Sequence, residues 1–359
     1  MSDQQDGAPI GHDLRAFSAP EASLEHRTFL TDDDPDCQGA KKELPRFGIA
    51  DWGGALITEL GEEGRMSRAR HALDKTTKNI LCKYKSVLVP GFNCSKAGAV
   101  CSLVKTTSSG QINPEEMVTT CPNRFFEDNI IVNAISQLVL DAGQVAITRE
   151  VPLYRTAKGT PTAKLDLLIR DTGDEENWCG VENQSVYFQG RAMSDDFQRY
   201  AVRHDGVHRP DKIRNPDFRS SSAKRLAPQL RRKVPLLRSW GKKMVLVVDQ
   251  PFHDSLGTLV QVGHAGVSHD ERLADSDIFW IVPKYNSYGK LLINQCCYTT
   301  LDATLAALDT MVAMDKAEFQ KNLARSERSK KAIKLDVPAR QVQVSGMMTD
   351  SAFHSEMQV

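Results

Sequence analysis

The chain has 359 residues, 40% of them hydrophobic, and its 46 Lys/Arg balance 46 Asp/Glu. That composition supports a soluble globular protein of one large or two smaller domains. No run of about 18 apolar residues occurs, and the N-terminus lacks a basic stretch followed by an apolar one, so membrane spanning and export are unsupported. The expected compartment is the cytoplasm, whose reducing conditions make the 8 cysteines thiols or metal ligands rather than a disulfide framework. The balanced charge is unevenly distributed: Arg199 to Lys243 carries 14 Lys/Arg against 3 Asp, a candidate phosphate-binding surface.

Residues 1–45 mix Asp, Ser, Pro, Gly and Gln with little apolar periodicity and read as a flexible acidic arm. Ala50 to Leu81 has apolar residues at helical spacing; the stretch to Cys121 is broken by Pro90, Gly91, Gly98, Gly110 and Pro114. Residues 46–125 therefore read as a segment with too few apolar groups for a core of its own. From Glu127 to Gly143 the spacing predicts an amphipathic helix with Ile130, Ala134 and Leu138 on one side. Ala146–Tyr154, Ala163–Arg170 and Trp178–Phe188 read as strands, the last two joined by a polar hairpin. A helix near Ser194–Gly206 follows, then a helix from Ser221 to Leu237 burying Leu226, Leu230, Val234 and Leu237, with Pro228 in its first turn and Pro235 ending or kinking it. Lys242–Gln250 and Asp277–Lys284 are buried-looking strands, and Asp302 to Ala332 reads as one long amphipathic helix. Residues 126–335 thus form the main mixed α/β domain around a central sheet, and 336–359 a tail.

Two groups of residues carry candidate chemistry. Asp166 interrupts an apolar strand, and Glu182 and Gln184, two apart on the next, share a face. In a suitable register the three converge, and two carboxylates that close require a cation or a proton between them; hard oxygen ligands favour Mg²⁺. Glu150, on the preceding strand, and Glu127 or Asp128 can complete that site or hold a second cation, Glu150 ranking first. Upstream, Cys82, Cys94, Cys101 and Cys121 form C-x11-C-x6-C-x19-C. Four thiols in a segment short of core are best explained by a structural thiolate site for zinc or a mononuclear iron. Packing accounts for Cys296 and Cys297, and spare or buried thiols for Cys37 and Cys179.

An Asp on one strand and Glu-x-Lys on the next is the pattern of the PD-(D/E)xK nucleases, and here Gln184 holds the lysine position. More specifically, Cys121–Asn129 (CPNRFFEDN) and Gly180–Gly190 (GVENQSVYFQG), with the four cysteines and Asp166 in the same order, resemble the NotI family of type II restriction endonucleases. The resemblance is good from about Cys82 to Gly190. It implies a restriction-endonuclease-like core and a Mg²⁺-dependent enzyme cutting both strands of a GC-rich palindrome in double-stranded DNA. It further implies Asp166 and Glu182 as Mg²⁺ ligands, Gln184 in the lysine's place, and zinc or iron on the four cysteines. A palindrome has two-fold symmetry, so a homodimer is expected, and a cognate DNA methyltransferase would act on the same site without needing to bind the enzyme. For DNA contact the candidates are Arg214, Arg219, Lys224, Arg225, Arg231 and Arg232. Asn123 and Arg124 either position DNA or brace the metal segment. The rival readings are a structure-specific repair or mobile-element nuclease with the same core, and a non-catalytic four-cysteine DNA-binding regulator.

Overall fold

The computed structural model describes residues 46–74, 80–190, 193–202, 206–264, 266–309 and 314–328. The expected N-terminal arm, Cys37 and the tail from 336 lie outside the described residues. The chain divides into two compact units, residues 1–310 and 311–359.

In the first unit, strand β1 (Phe47–Trp52) pairs antiparallel with β2 (Val100–Lys105), which pairs with β3 (Val118–Thr119). Helix α1 (Glu62–Leu73) lies between β1 and β2 in sequence. The apolar spacing from Ala50 is therefore only partly helical. Ala50 and Trp52 are fully buried in the three-stranded sheet, and Gly53 and Gly54, at φ of 64° and 89°, turn the chain out of it. Phe47, Ile49, Trp52, Leu103 and Val118 pack into the same core as the main sheet.

Helix α2 (Ile130–Leu138) follows, burying Ile131, Val132, Ala134 and Ile135; its inward face is rotated from the expected one, leaving Ile130 and Leu138 only half-buried. Then come β4 (Val145–Arg155), β5 (Pro161–Asp171) and β6 (Trp178–Asn183), an antiparallel meander. The apolar run read as one strand from Trp178 to Phe188 breaks after Asn183. The Val186 N–H donates to Thr119 of β3, and the chain resumes as β7 (Tyr187–Gly190), which pairs with β8 (Arg214–Asp217) in a separate two-stranded sheet.

Helix α3 (Ser194–Val202) lies between β7 and β8 in sequence. After β8, a helical run consists of α4 (Phe218–Ser221), a π-helical stretch Ser222–Leu226, and α5 (Ala227–Ser239). As the sequence predicts, Leu226, Leu230, Val234 and Leu237 are buried and Pro228 lies in the first turn of α5. Pro235 does not end α5: it is exposed on the solvent side, where the carbonyl it deprives of a partner meets water.

Strand β9 (Met244–Val247) pairs parallel with both β6 and β10 (Ile278–Tyr285), and β10 pairs antiparallel with β11 (Leu291–Thr299). Helices α6 (Gln250–Asp254) and α7 (His269–Asp275) connect β9 to β10. The result is a six-stranded mixed sheet of order β11-β10-β9-β6-β5-β4, flanked by helices, in agreement with the expected mixed α/β class. Met244, Leu246, Ile278 and Trp280 pack on the α5 side; Val245, Val247, Phe279 and Ile281 share the other core with α2. Gly180 lets α5 settle on the sheet, since a Cβ there would stand 3.0 Å from side-chain carbons of Leu165 and Leu237.

The stretch read as one long C-terminal helix is two. Helix α8 (Leu301–Leu308) buries Leu301, Ala307 and Leu308 in the first unit and ends at Asp309, whose φ of −97° and ψ of 81° leave the helical region. Helix α9 (Lys316–Arg328) is a polar helix of the second unit.

Arg124, expected either at DNA or as a brace, is 1% exposed. It forms ion pairs with Asp51 of β1 (2.9 Å) and Glu127 (2.6 Å), donates to the Gly289 carbonyl (2.6 Å), and lies over the rings of Tyr84 and Tyr285. Glu127 also accepts from the Leu291 N–H at 2.8 Å. Arg124 is thus out of reach of DNA, and Glu127 is committed to the core instead of a metal. Arg124→Ala strands two buried carboxylates and is expected to cost ~3–5 kcal/mol; urea unfolding of the variant against wild type measures it.

Candidate active site

Register brings the predicted carboxylates together. Leu167 pairs with Val181 and Leu168 with Gly180, so Asp166, in the middle of β5, and Glu182, near the end of β6, lie next to each other on adjacent strands. Asp166 is flanked by buried Leu165 and Leu167 and itself opens to solvent. Its Oδ2 accepts the Asn183 N–H at 2.9 Å, which ties the carboxyl to the far end of β6. The protein packed around Asp166 raises its carboxyl above the ordinary range, against the Asn183 N–H and the Lys233 charge, and Glu150 adds to the rise. Glu182, by contrast, is 2% exposed. Burial, followed by the Asp166 charge, pushes it up to about 7, although Lys233 pulls the other way.

Lys233 is the site residue that sequence reasoning missed. It stands on α5, 3% exposed, with Nζ 2.5 Å from Glu182 Oε1 and 2.8 Å from Gln229 Oε1. A signal was present: Lys233 is three residues after Leu230 and four before Leu237, so it occupies a position in the apolar stripe where a charge is costly unless paired. Tyr154 of β4 donates to the Arg232 carbonyl at 2.8 Å, so α5 lies across β4 to β6, over the carboxylates.

Gln184 is buried just past the end of β6, and its amide donates to the Ser185 carbonyl at 2.5 Å. Among the described residues no hydrogen bond joins it to Asp166 or Glu182. Glu150 does approach: it sits between the paired positions Arg149–Leu167 and Val151–Leu165, hence opposite Asp166, and its charge is felt there. Its φ of 52° is left-handed, an uncommon conformation for glutamate, and its exposed carboxylate meets Lys164 at 3.4 Å. Asp128 is exposed and paired with Lys290 at 3.7 Å, away from this group.

Of the expected DNA contacts, Arg219, Lys224, Arg225, Arg231 and Arg232 are exposed on the helical run, with Arg225 stacked 3.5 Å over the Tyr187 ring. Arg214 is a correction: it is 3% exposed, paired with buried Asp196 and donating to the Phe47 carbonyl at 3.2 Å. It locks β8 and α3 onto β1.

The four upstream cysteines form two backbone couples. The Cys82 and Cys94 amides bond to the Phe92 and Ile80 carbonyls across an isolated bridge, and the Cys121 amide donates to the Cys101 carbonyl at 3.2 Å. The couples are neighbours: Tyr84, two residues after Cys82, packs with Cys101 and Cys121. Asn123 donates to Cys82 Sγ at 3.9 Å, within this group. Among the described residues, however, no three Cys, His, Asp or Glu side chains gather in an arrangement that would hold a metal ion, so the geometry does not display the expected thiolate centre.

Two carboxylates on adjacent strands, with a buried lysine from a helix that also carries exposed arginines, suit an enzyme of phosphodiester chemistry. The family model described as restriction endonuclease NotI matches residues 68–289, more than half the chain, and the protein belongs to that family. It is therefore a restriction endonuclease, a hydrolase acting on DNA. No curated protein matches the chain in sequence. Among the described residues no helix is long and apolar enough to cross a membrane.

The Glu182 value carries a stability prediction for metal-free protein. Its folded-state value exceeds that of an ordinary glutamate, so folding favours the protonated form; the Glu182 contribution to stability is fullest below pH about 4.5 and is lost as pH rises towards about 7. Glu182→Gln is expected to remove that fall, worth roughly 1.4 kcal/mol per unit. Chelator-treated wild type and variant, unfolded by urea at pH 4.5, 6 and 8, give the comparison.

Proposed function

We propose that the protein is a type II restriction endonuclease of the PD-(D/E)xK kind, making Mg²⁺-dependent double-strand cuts at a GC-rich palindrome. The observation that carries this reading is the pairing of Asp166 and Glu182 on adjacent strands beside the exposed arginines of α5. A regulator would have no use for two such carboxylates next to a polyanion, because they repel phosphate unless a cation intervenes.

The donor set fits a hard divalent cation. Asp166 is open to solvent, Glu182 is adjacent, and their mutual repulsion is relieved by positive charge between them. Asp166 and Glu182 would hold Mg²⁺, with Glu150 completing the shell from β4. When bound, the ion supplies Lewis-acid activation of water and neutralises phosphate charge. The Asn183 N–H orients the Asp166 carboxylate, and Gln184, neutral, can only hydrogen-bond and orient. Arg219, Lys224, Arg225, Arg231 and Arg232 contact phosphates or guanine edges, fixing the duplex over the carboxylates. A homodimer would set one such site on each strand, and a methyltransferase of the same specificity would protect host DNA. Cys82, Cys94, Cys101 and Cys121 would close on a structural zinc or iron; the adjacency of their two couples supports this.

Incubation with a large GC-rich DNA, with and without Mg²⁺, followed by sequencing of fragment ends, tests the activity. Discrete Mg²⁺-dependent fragments sharing one palindrome are expected, with intact DNA overturning the reading. Asp166→Ala should slow cleavage on the order of 10³-fold while sequence-specific binding persists. Arg225→Ala, Arg231→Ala and Arg232→Ala should each lower the slope of log binding constant against log salt by about 0.9. For the cysteines, elemental analysis should find zinc or iron lost in Cys82→Ser; a metal-free wild type that melts cooperatively removes that assignment.

A further inference from the structure

We propose that Lys233, reaching the site from helix α5 rather than from the carboxylate strand, is the cation that meets the scissile phosphate. This deepens the nuclease reading and rests on it. Strand β6 cannot deliver a positive charge itself: Gln184 is neutral, and its amide is turned to the Ser185 carbonyl. The helix packed over the same strand delivers one, with Lys233 Nζ 2.5 Å from Glu182 Oε1.

Three observations distinguish this lysine from an ordinary structural ion pair. First, it interrupts the stripe formed by Leu230, Val234 and Leu237, each 0–1% exposed, where an apolar side chain would pack at no electrostatic cost. Replacing a buried ion pair by apolar groups is often neutral or stabilising, so stability alone does not account for Lys233 and Glu182. Second, Lys233 meets Glu182, and strand register sets Asp166 directly across from Glu182, so the ammonium lies where both carboxylates converge. Third, among the described residues its partners are Glu182 and Gln229, which leaves one of the three ammonium N–H groups for a further acceptor. The other lysine nearby, Lys164, is half-exposed and engaged with Glu150 at the rim.

In the reaction, a water oxygen forms a new bond to phosphorus as the P–O3′ bond breaks. The water's proton passes to solvent and the leaving 3′-oxygen takes one up, so protons balance. Lys233 keeps its own protons throughout. It donates to a non-bridging phosphate oxygen as negative charge builds there, and a donor fixed in a dry site requires little reorganisation at that moment.

The test compares full-length wild type, Lys233→Met, Lys233→Gln and Lys164→Met. Readouts are thermal melting, Ca²⁺-supported DNA binding, Mn²⁺ affinity by electron paramagnetic resonance, and single-turnover cleavage over a Mg²⁺ titration. Lys233→Gln can still donate to Glu182, and it carries the test if Lys233→Met fails to fold. The proposal expects DNA binding within about 3-fold of wild type, Mn²⁺ affinity equal or higher, and a maximal rate at saturating Mg²⁺ reduced on the order of 10²-fold or more. A maximal rate that recovers fully at saturating Mg²⁺ would make Lys233 only a counter-ion of Glu182 and overturn the proposal. So would a large loss in Lys164→Met with Lys233→Met still active. A wild type that cleaves no DNA with any cation overturns the nuclease reading along with it, an outcome distinguished by the wild-type arm alone.

Discussion

A carboxylate buried inside a sheet must be neutralised, and Glu182 is neutralised by a lysine that its own strand does not supply. That requirement brings α5 onto β6 at a fixed register. Gly180 removes the Cβ that would hold the helix off, Leu230, Val234 and Leu237 anchor it, and Lys233 is delivered among them. The same helix carries Arg231 and Arg232, both exposed, next to Lys233 in sequence. Charge compensation, packing of α5 and presentation of the basic face are one structural arrangement.

A second buried cation organises the rest of the first unit. The cysteine-bearing segment sends Val100, Leu103, Val104, Met117 and Val118 into the core, and its Tyr84 meets the Arg124 guanidinium that also binds Asp51 and Glu127 and caps the Gly289 turn. Arg124 therefore joins β1, the cysteine loops, the start of α2 and the β10–β11 connection around a single charge. Its neighbour Asn123 points to Cys82 instead. In the CPNR stretch, Arg124 is committed to the core, while half-buried Asn123 stands beside the cysteines.

Much of this was legible in the sequence because it rests on period. Alternation placed Asp166 outward between Leu165 and Leu167, and set Glu182 two residues from Gln184; strand pairing then made Asp166 and Glu182 neighbours, as register required. The apolar stripe of α5 was equally plain. What period cannot show is which charges turn inward. Arg124, Arg214 and Lys233 look like members of a basic surface, and only tertiary partners, Asp51, Asp196 and Glu182, draw them into the core. The break of the Trp178–Phe188 run was hidden for a related reason: it is imposed by β3, more than 60 residues upstream, through the Thr119 carbonyl.

Gln184 shows how sequence position and spatial role come apart. A motif read along one strand treats its third residue as the donor of positive charge, and by that reading this site is deficient. In space the deficiency is not observed, because Glu182 lies within 2.5 Å of an ammonium group. A side chain delivered from a helix has a consequence that a strand-borne one lacks. Its distance from the carboxylates depends on the seating of α5, and α5 is contiguous with the arginine-bearing helical run and tied to β4 through Tyr154. A lysine on β6 would sit at a distance set by the strand alone, whereas Lys233 is placed by the packing of Leu230, Val234 and Leu237.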